Sequence, residues 1–202
     1  MAFDVFRLAT DAAVNGAVPD KLSRRSVALR LLQERKVFLG REVKPASANR
    51  LIAQIMFLEA DNNEKPIELF INSPGGEVSS GLAVYDLIRM VKCPVHTISA
   101  GLTASIATII LVGGSKGKRL CWPNSRILIH QPLGGMRGQA TDIEIHAREI
   151  LKIKDKVNQI LADATGQTLK KIEKDTNRDY WMSSPEAKEY GIIDEILPYT
   201  NA

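Results

Sequence analysis

The sequence of 202 residues predicts an α/β fold of repeated strand–helix units with largely parallel strands. Three observations carry that expectation. Short apolar runs of strand length alternate with amphipathic helical spacings, the pattern of parallel strands joined by crossover helices. Two strand ends run into glycines, at Gly75-Gly76 and at Gly101. One segment keeps a helical apolar stripe from Thr141 to about Thr165, roughly 36 Å at 1.5 Å per residue. A helix of that length outreaches a core of this size, so part of it is expected to project and bury its stripe against a partner subunit.

Each element follows from local chemistry. Residues 1–26 are broken by Gly16, Pro19 and Asp20 and are expected to be a mobile or processed segment. Residues 27–202 are expected to form one domain. Val27, Leu31 and Leu32 share a helical face over 26–35, and Lys36 to Leu39 reads as a short strand ending at Gly40. Ala48, Leu51, Ile52, Ile55 and Leu58 mark a helix over 47–60. A strand over 67–72 runs into Ser73-Pro-Gly-Gly76. A helix over 79–91 is stopped by Cys93-Pro94. A strand over 95–100 reaches a glycine turn at Gly101, and Ser105 opens an apolar helix ending at Gly113-Gly114.

Residues 118–122 and 126–129 read as a hairpin joined by Pro123-Asn-Ser125. Its second strand delivers His130 to a loop over 131–138 with three glycines. Thr141-Asp-Ile-Glu144 reads as a capping box for the long helix, whose stripe is Ile143, Ala147, Ile150, Ile153, Val157, Ile160 and Ala164, and Gly166 stops it. A short helix over 168–174, a charged turn over 175–179, a second capping box at Ser183-Ser-Pro-Glu186 with its helix, and a strand over 192–197 complete the chain.

Composition narrows the function classes. Hydrophobic residues make up 45% and charged residues 25%, ordinary for a globular domain. The net charge of +4 is interleaved with acids and aromatics are only 5%, so no stacking platform for nucleic acid is expected. Cys93 and Cys121 have neither zinc spacing nor a CxxC pair, which fits a reducing compartment. The N-terminus carries Asp4 and Asp11 and no basic start, so no secretory signal is expected. The apolar run at 106–112 is too short to span a bilayer. A cytoplasmic location, or an equivalent organelle matrix or stroma, is expected, with no membrane partner.

Three residues can be argued into one site. Ser105 stands at a helix start, His130 at a strand end and Asp179 in a turn. A nucleophilic serine needs a base within hydrogen-bond reach, and the base needs a carboxylate to fix its tautomer. Gly75-Gly76 could present an unobstructed N–H beside the serine, and the Ile106 N–H could be a second oxyanion donor. The plain alternative is a serine bonded to its own backbone at a helix start. His96 lies inside a strand and reads as a core or interface residue, and His146 as solvent-facing. There is no Gly-x-Ser-x-Gly elbow around Ser105.

Longer motifs then point to a family. Asn72-Ser-Pro-Gly-Gly76, Ala104-Ser105, Pro123-Asn-Ser-Arg126 and Ile129-His-Gln-Pro-Leu-Gly-Gly135 resemble the proteolytic subunit of the Clp protease (ClpP). So do Gly138-Gln-Ala-Thr-Asp-Ile-Glu-Ile-His146, Asp175-Thr-Asn-Arg-Asp179 and Glu186-Ala-Lys-Glu-Tyr-Gly191. The resemblance spans about Leu31 to Leu197. It implies the ClpP/crotonase-like α/β fold, with the helix near 140–165 as a projecting "handle". It implies a serine endopeptidase with Ser105 as nucleophile, His130 as base, Asp179 as orienting carboxylate, and Gly76 and Ile106 as oxyanion donors. No metal or cofactor is implied, ATP being used by the partner.

The implied partners are ClpP-type subunits in two stacked seven-membered rings, an AAA+ ATPase and unfolded protein substrates. The chain departs from the family pattern at Ile106, where a Met is usual, and at Arg25-Ser-Val-Ala28, where a Tyr-Asp-Ile-Tyr type is usual. It also departs at an ATPase-docking pocket that here carries Glu68, Phe70 and Met90. These departures suggest a specialised paralogue in mixed rings. Two alternatives remain open, a weak or silent structural subunit of a mixed ring and a crotonase-type acyl-CoA enzyme.

Overall fold

A computed structural model describes residues 24–132 and 137–199. The expected N-terminal segment falls almost wholly outside the described residues, as do Gly134 and Gly135 of the glycine loop. The elements in order are α1 (Arg24–Gln33), β1 (Lys36–Leu39), α2 (Pro45–Asp61), β2 (Ile67–Ser73), α3 (Val78–Met90), β3 (Val95–Ala104) and α4 (Ile106–Val112). They continue with β4 (Arg119–Cys121), β5 (Arg126–Ile129), α5 (Ala140–Thr165), α6 (Leu169–Asp175), β6 (Tyr180–Ser183), α7 (Ser184–Tyr190) and β7 (Glu195–Ile196).

The sheet runs β1-β2-β3-β4-β7 with every neighbouring pair parallel, as the alternation of strand and helix predicts. β2 shows the period of two that builds the core. Ile67, Leu69, Ile71 and Ser73 are buried on one face while the residues between them are not. In one core with them lie Leu51, Ile55 and Leu58 of α2, Val84 and Ile88 of α3, and the apolar residues of α4. The free thiols of Cys93 and Cys121 are buried in the same core.

Three expectations need correction. The strand before Ser105 does not end in a glycine turn: it passes through Gly101 (φ +117°) and continues to Ala104. The expected hairpin is also absent. β4 and β5 do not pair with each other but both lie parallel to β3, β4 along Thr97–Ser99 and β5 along Leu102–Ala104. The bend at Gly101 separates the two stretches. The Ser125 hydroxyl bridges them, donating to the Ser99 carbonyl at 2.9 Å and accepting the Gly101 N–H at 3.0 Å. Pro123-Asn-Ser125 is therefore an offset between two parallel partners rather than a turn. Finally, α5 is capped at Gln139, and Glu144 pairs with Arg148 instead of closing a box at Thr141.

Other punctuation follows the sequence. Glu186 accepts the Ser183 N–H at 2.7 Å at the start of α7, and Gly166 and Gly191 end α5 and α7 in left-handed conformation. In α5 the buried residues are Val157, Asn158, Leu161 and Ala162, all in its second half. Ile143, Ile145 and Leu151 in the first half are 42%, 57% and 57% exposed. The helix docks by its C-terminal half and projects by its N-terminal half.

Candidate active site

The site lies where β3 hands over to α4. Ser105 has φ 57° and ψ −128°, a region that costs a non-glycine residue about 1–3 kcal/mol. The surrounding bonds enforce it. The Ser105 N–H donates to the Leu128 carbonyl at 3.0 Å and its own carbonyl accepts the Thr108 N–H at 2.9 Å. The Thr108 hydroxyl lies 3.1 Å from the Thr103 carbonyl and 2.9 Å from that of Leu128. Among the described residues the Ser105 hydroxyl makes no capping bond. This separates it from an ordinary helix-start serine, whose oxygen accepts a backbone N–H.

A glycine turn presses against this serine. Gly75 has φ +94°, and a Cβ there would stand 2.7 Å from both the Ala104 carbonyl oxygen and Ser105 Cβ. Val43 pins the turn from the other side: its N–H donates to the Gly75 carbonyl at 2.7 Å, and its carbonyl accepts the Glu77 N–H at 2.8 Å. Among the described residues neither the Gly76 N–H nor the Ile106 N–H has a backbone acceptor. Sequence reading missed Val43, a single valine in a loop with no motif around it. Gly76 has φ +146°, and a Cβ there would lie 2.2 Å from the Val43 carbonyl oxygen. Gly76→Ala is therefore expected to cost about 3 kcal/mol, read as a lowered denaturation midpoint.

β5 delivers the base. Its partner β6 is a strand that the sequence reading did not anticipate, although Tyr180-Trp-Met182 is aromatic and strand-like. The antiparallel register sets Ile129 opposite Tyr180, which brings His130 and Asp179 together just beyond the paired residues. His130 Nδ1 is 3.1 Å from Asp179 Oδ1. The histidine side chain is 14% exposed and the carboxylate 61%.

Ser105 and His130 line one cleft, with Val78, Ile106, Ile109 and Pro132 among its other walls, and it has a volume of about 20 Å³. That is room for one water. No hydrogen bond joins the serine oxygen to His130 among the described residues, and such bonds commonly tighten only when substrate is bound. The roomier grooves, of about 300 and 550 Å³, contain none of these residues.

The other histidines stand elsewhere. His96 is half-buried in β3 opposite Glu68 of β2. Burial first, and then the charge of Lys118, hold its pKa below the usual value, against an opposing pull from Glu68. His146 is exposed on α5. Among the described residues no cluster of three or more His, Cys, Asp or Glu is arranged to hold a metal ion. No described helix is long and apolar enough to cross a membrane.

The arrangement can support acyl transfer: a strained serine whose hydroxyl makes no capping bond among the described residues, a histidine on the same cleft, a carboxylate on that histidine, and the N–H groups of Ile106, next to the serine, and of Gly76, in the turn packed against it, neither with a backbone acceptor among the described residues. A family model described as Clp protease matches residues 20–200 of the chain.

Proposed function

With residues 20–200 of its 202 matched, the chain belongs to the Clp protease family, and from that premise we propose that it is a serine endopeptidase acting on unfolded polypeptides. Ser105 is the nucleophile. It attacks the scissile carbonyl while His130 takes its proton and passes it to the leaving amine, and water then hydrolyses the acyl-enzyme by the same route. Asp179 fixes the tautomer of His130 through Nδ1. The N–H groups of Gly76 and Ile106 receive the developing oxyanion. The observation that carries this reading is the strained Ser105, without a capping bond among the described residues, on one cleft with a histidine held by a carboxylate. The peptidase uses no metal or cofactor of its own.

The exposed apolar side chains of Ile143, Ile145 and Leu151, spread around the projecting half of α5, support assembly through that helix. We assign it to contacts between two stacked seven-membered rings, built from this chain or shared with a paralogue. An AAA+ ATPase feeds the chamber and consumes the ATP, in the cytoplasm or an organelle matrix.

A silent ring subunit is the second reading, favoured by the missing bond between Ser105 and His130. The test incubates assembled rings with an unfolded model protein, an AAA+ ATPase and ATP. Release of short peptides by rings of this chain alone supports the active reading. No release by those rings, with release by mixed rings that is indifferent to Ser105→Ala, supports the silent one.

A further inference from the structure

We propose that Thr176, Gln131 and Asn158 are positioning residues for the pair His130–Asp179, an inference that rests on the catalytic roles assigned above. Asp179 is an exposed carboxylate in a turn, held among the described residues by its contact with His130. A side chain held only there would sample many rotamers unless its backbone were fixed, and small misplacements of a catalytic group are costly in rate.

Thr176 fixes that backbone. It is fully buried, at 0% exposure, and caps α6 with its N–H on the Ile172 carbonyl at 2.8 Å. Its carbonyl accepts the N–H of Gln131, the residue after His130, at 2.6 Å. The Gln131 amide Nε2 donates to the Asn177 carbonyl at 3.1 Å. The residue beside the base thus holds the turn of the orienting carboxylate at two points. The β5–β6 pairing closes the other side of the bracket at Ile129 and Tyr180.

The third anchor comes from the long helix. The Thr176 hydroxyl donates to the Ile172 carbonyl at 2.8 Å and touches the Asn158 amide, 3.1 Å from Oδ1. Asn158 is 1% exposed, and its Nδ2 meets no acceptor among the described residues. An amide buried with its donor unmet is a poor choice for stability. A leucine has the same branched four-atom side chain and carries no donor to leave unmet. The amide is explained by its contact with the Thr176 hydroxyl, which packs that residue, and hence the turn, against the long helix.

The test compares variants of the assembled full chain, with kcat expressed per active site titrated by a fluorophosphonate. Asn158→Leu is expected to melt no lower than wild type yet lose about tenfold in kcat, with KM within about twofold. Gln131→Ala, a half-buried side chain, is expected to lose kcat in the same way by about threefold. Thr176→Val is expected to lose about tenfold, and Thr176→Ser to recover most of that loss. A purely structural role would lower melting temperature and the number of titratable sites while leaving kcat per site unchanged. If Asn158→Leu and Gln131→Ala both keep wild-type kcat per site, the proposal is wrong, whether or not Thr176→Val folds. Failure of the catalytic reading itself looks different: turnover would survive Ser105→Ala or His130→Ala.

Discussion

Ser105→Ala should abolish peptide hydrolysis, a fall on the order of a million-fold in kcat, while melting temperature changes by little. Both halves follow from the site. The loss is large because, among the described residues, no second hydroxyl lines the cleft to take over the attack. The stability effect is small because the Ser105 oxygen makes no capping bond. The positive φ is held by backbone bonds to Leu128 and Thr108, which alanine keeps. A helix-start serine whose oxygen did cap the helix would behave in the opposite way, losing about 1 kcal/mol on truncation and no chemistry. Steady-state hydrolysis of a fluorogenic peptide and a thermal melt of the same samples distinguish the two.

The second large effect is on stability. Arg119→Ala should destabilise the fold by about 3 kcal/mol, the low end of the range for removing one partner of a buried ion pair, because this pair is part-buried. Arg119 is 9% exposed in β4. It donates to both carboxylate oxygens of Asp194 and to the carbonyls of Ala164 and Gly191, each at 2.9 Å. One guanidinium thus joins the sheet to the ends of α5 and α7. Removing it leaves the carboxylate with backbone donors alone, among them the residue 119 N–H at 2.9 Å, and leaves two carbonyls without their donor.

The pH dependence of this pair has a definite sign. Burial alone would push the Asp194 carboxyl up, but hydrogen bonds and charge from Arg119 outweigh it and hold it below the usual value. A carboxyl lowered in the folded state adds stability that is complete above its unfolded pKa, about 3.9. That stability fades as pH falls through the lower folded value. Wild type should lose this contribution below about pH 4, and Asp194→Asn should show a flatter acid limb in denaturant titrations.

Much of the fold was legible because it rests on local periodicity. The face of α2, the spans of β2 and α3, and the stops at Gly166 and Gly191 are all carried by residues close in sequence. The errors came where pairing is non-local. Arg126 to Ile129 looks like a hairpin strand beside 118–122, and only the bend at Gly101 and the Ser125 bridge send both segments to β3. β6 was missed because four residues between a charged turn and a capping box carry too short a pattern, although its register is what brings Asp179 to His130. For the site, Ser105, His130 and Asp179 could be named as residue types able to cooperate. Their proximity could not be read from spacing across 49 positions between His130 and Asp179. Thr176, Gln131 and Asn158 were invisible for the same reason: each is an ordinary polar residue until the fold places it around that pair.

The claim at the centre of this account is that Ser105 is an activated nucleophile in the assembled protein. The most direct measurement treats assembled rings with a fluorophosphonate and maps the modified residue by peptide mass spectrometry. A single adduct on Ser105, lost in Ser105→Ala and strongly slowed in His130→Ala, is the predicted result. Unlabelled Ser105 in intact rings, or an adduct on another serine that persists in Ser105→Ala, would contradict it.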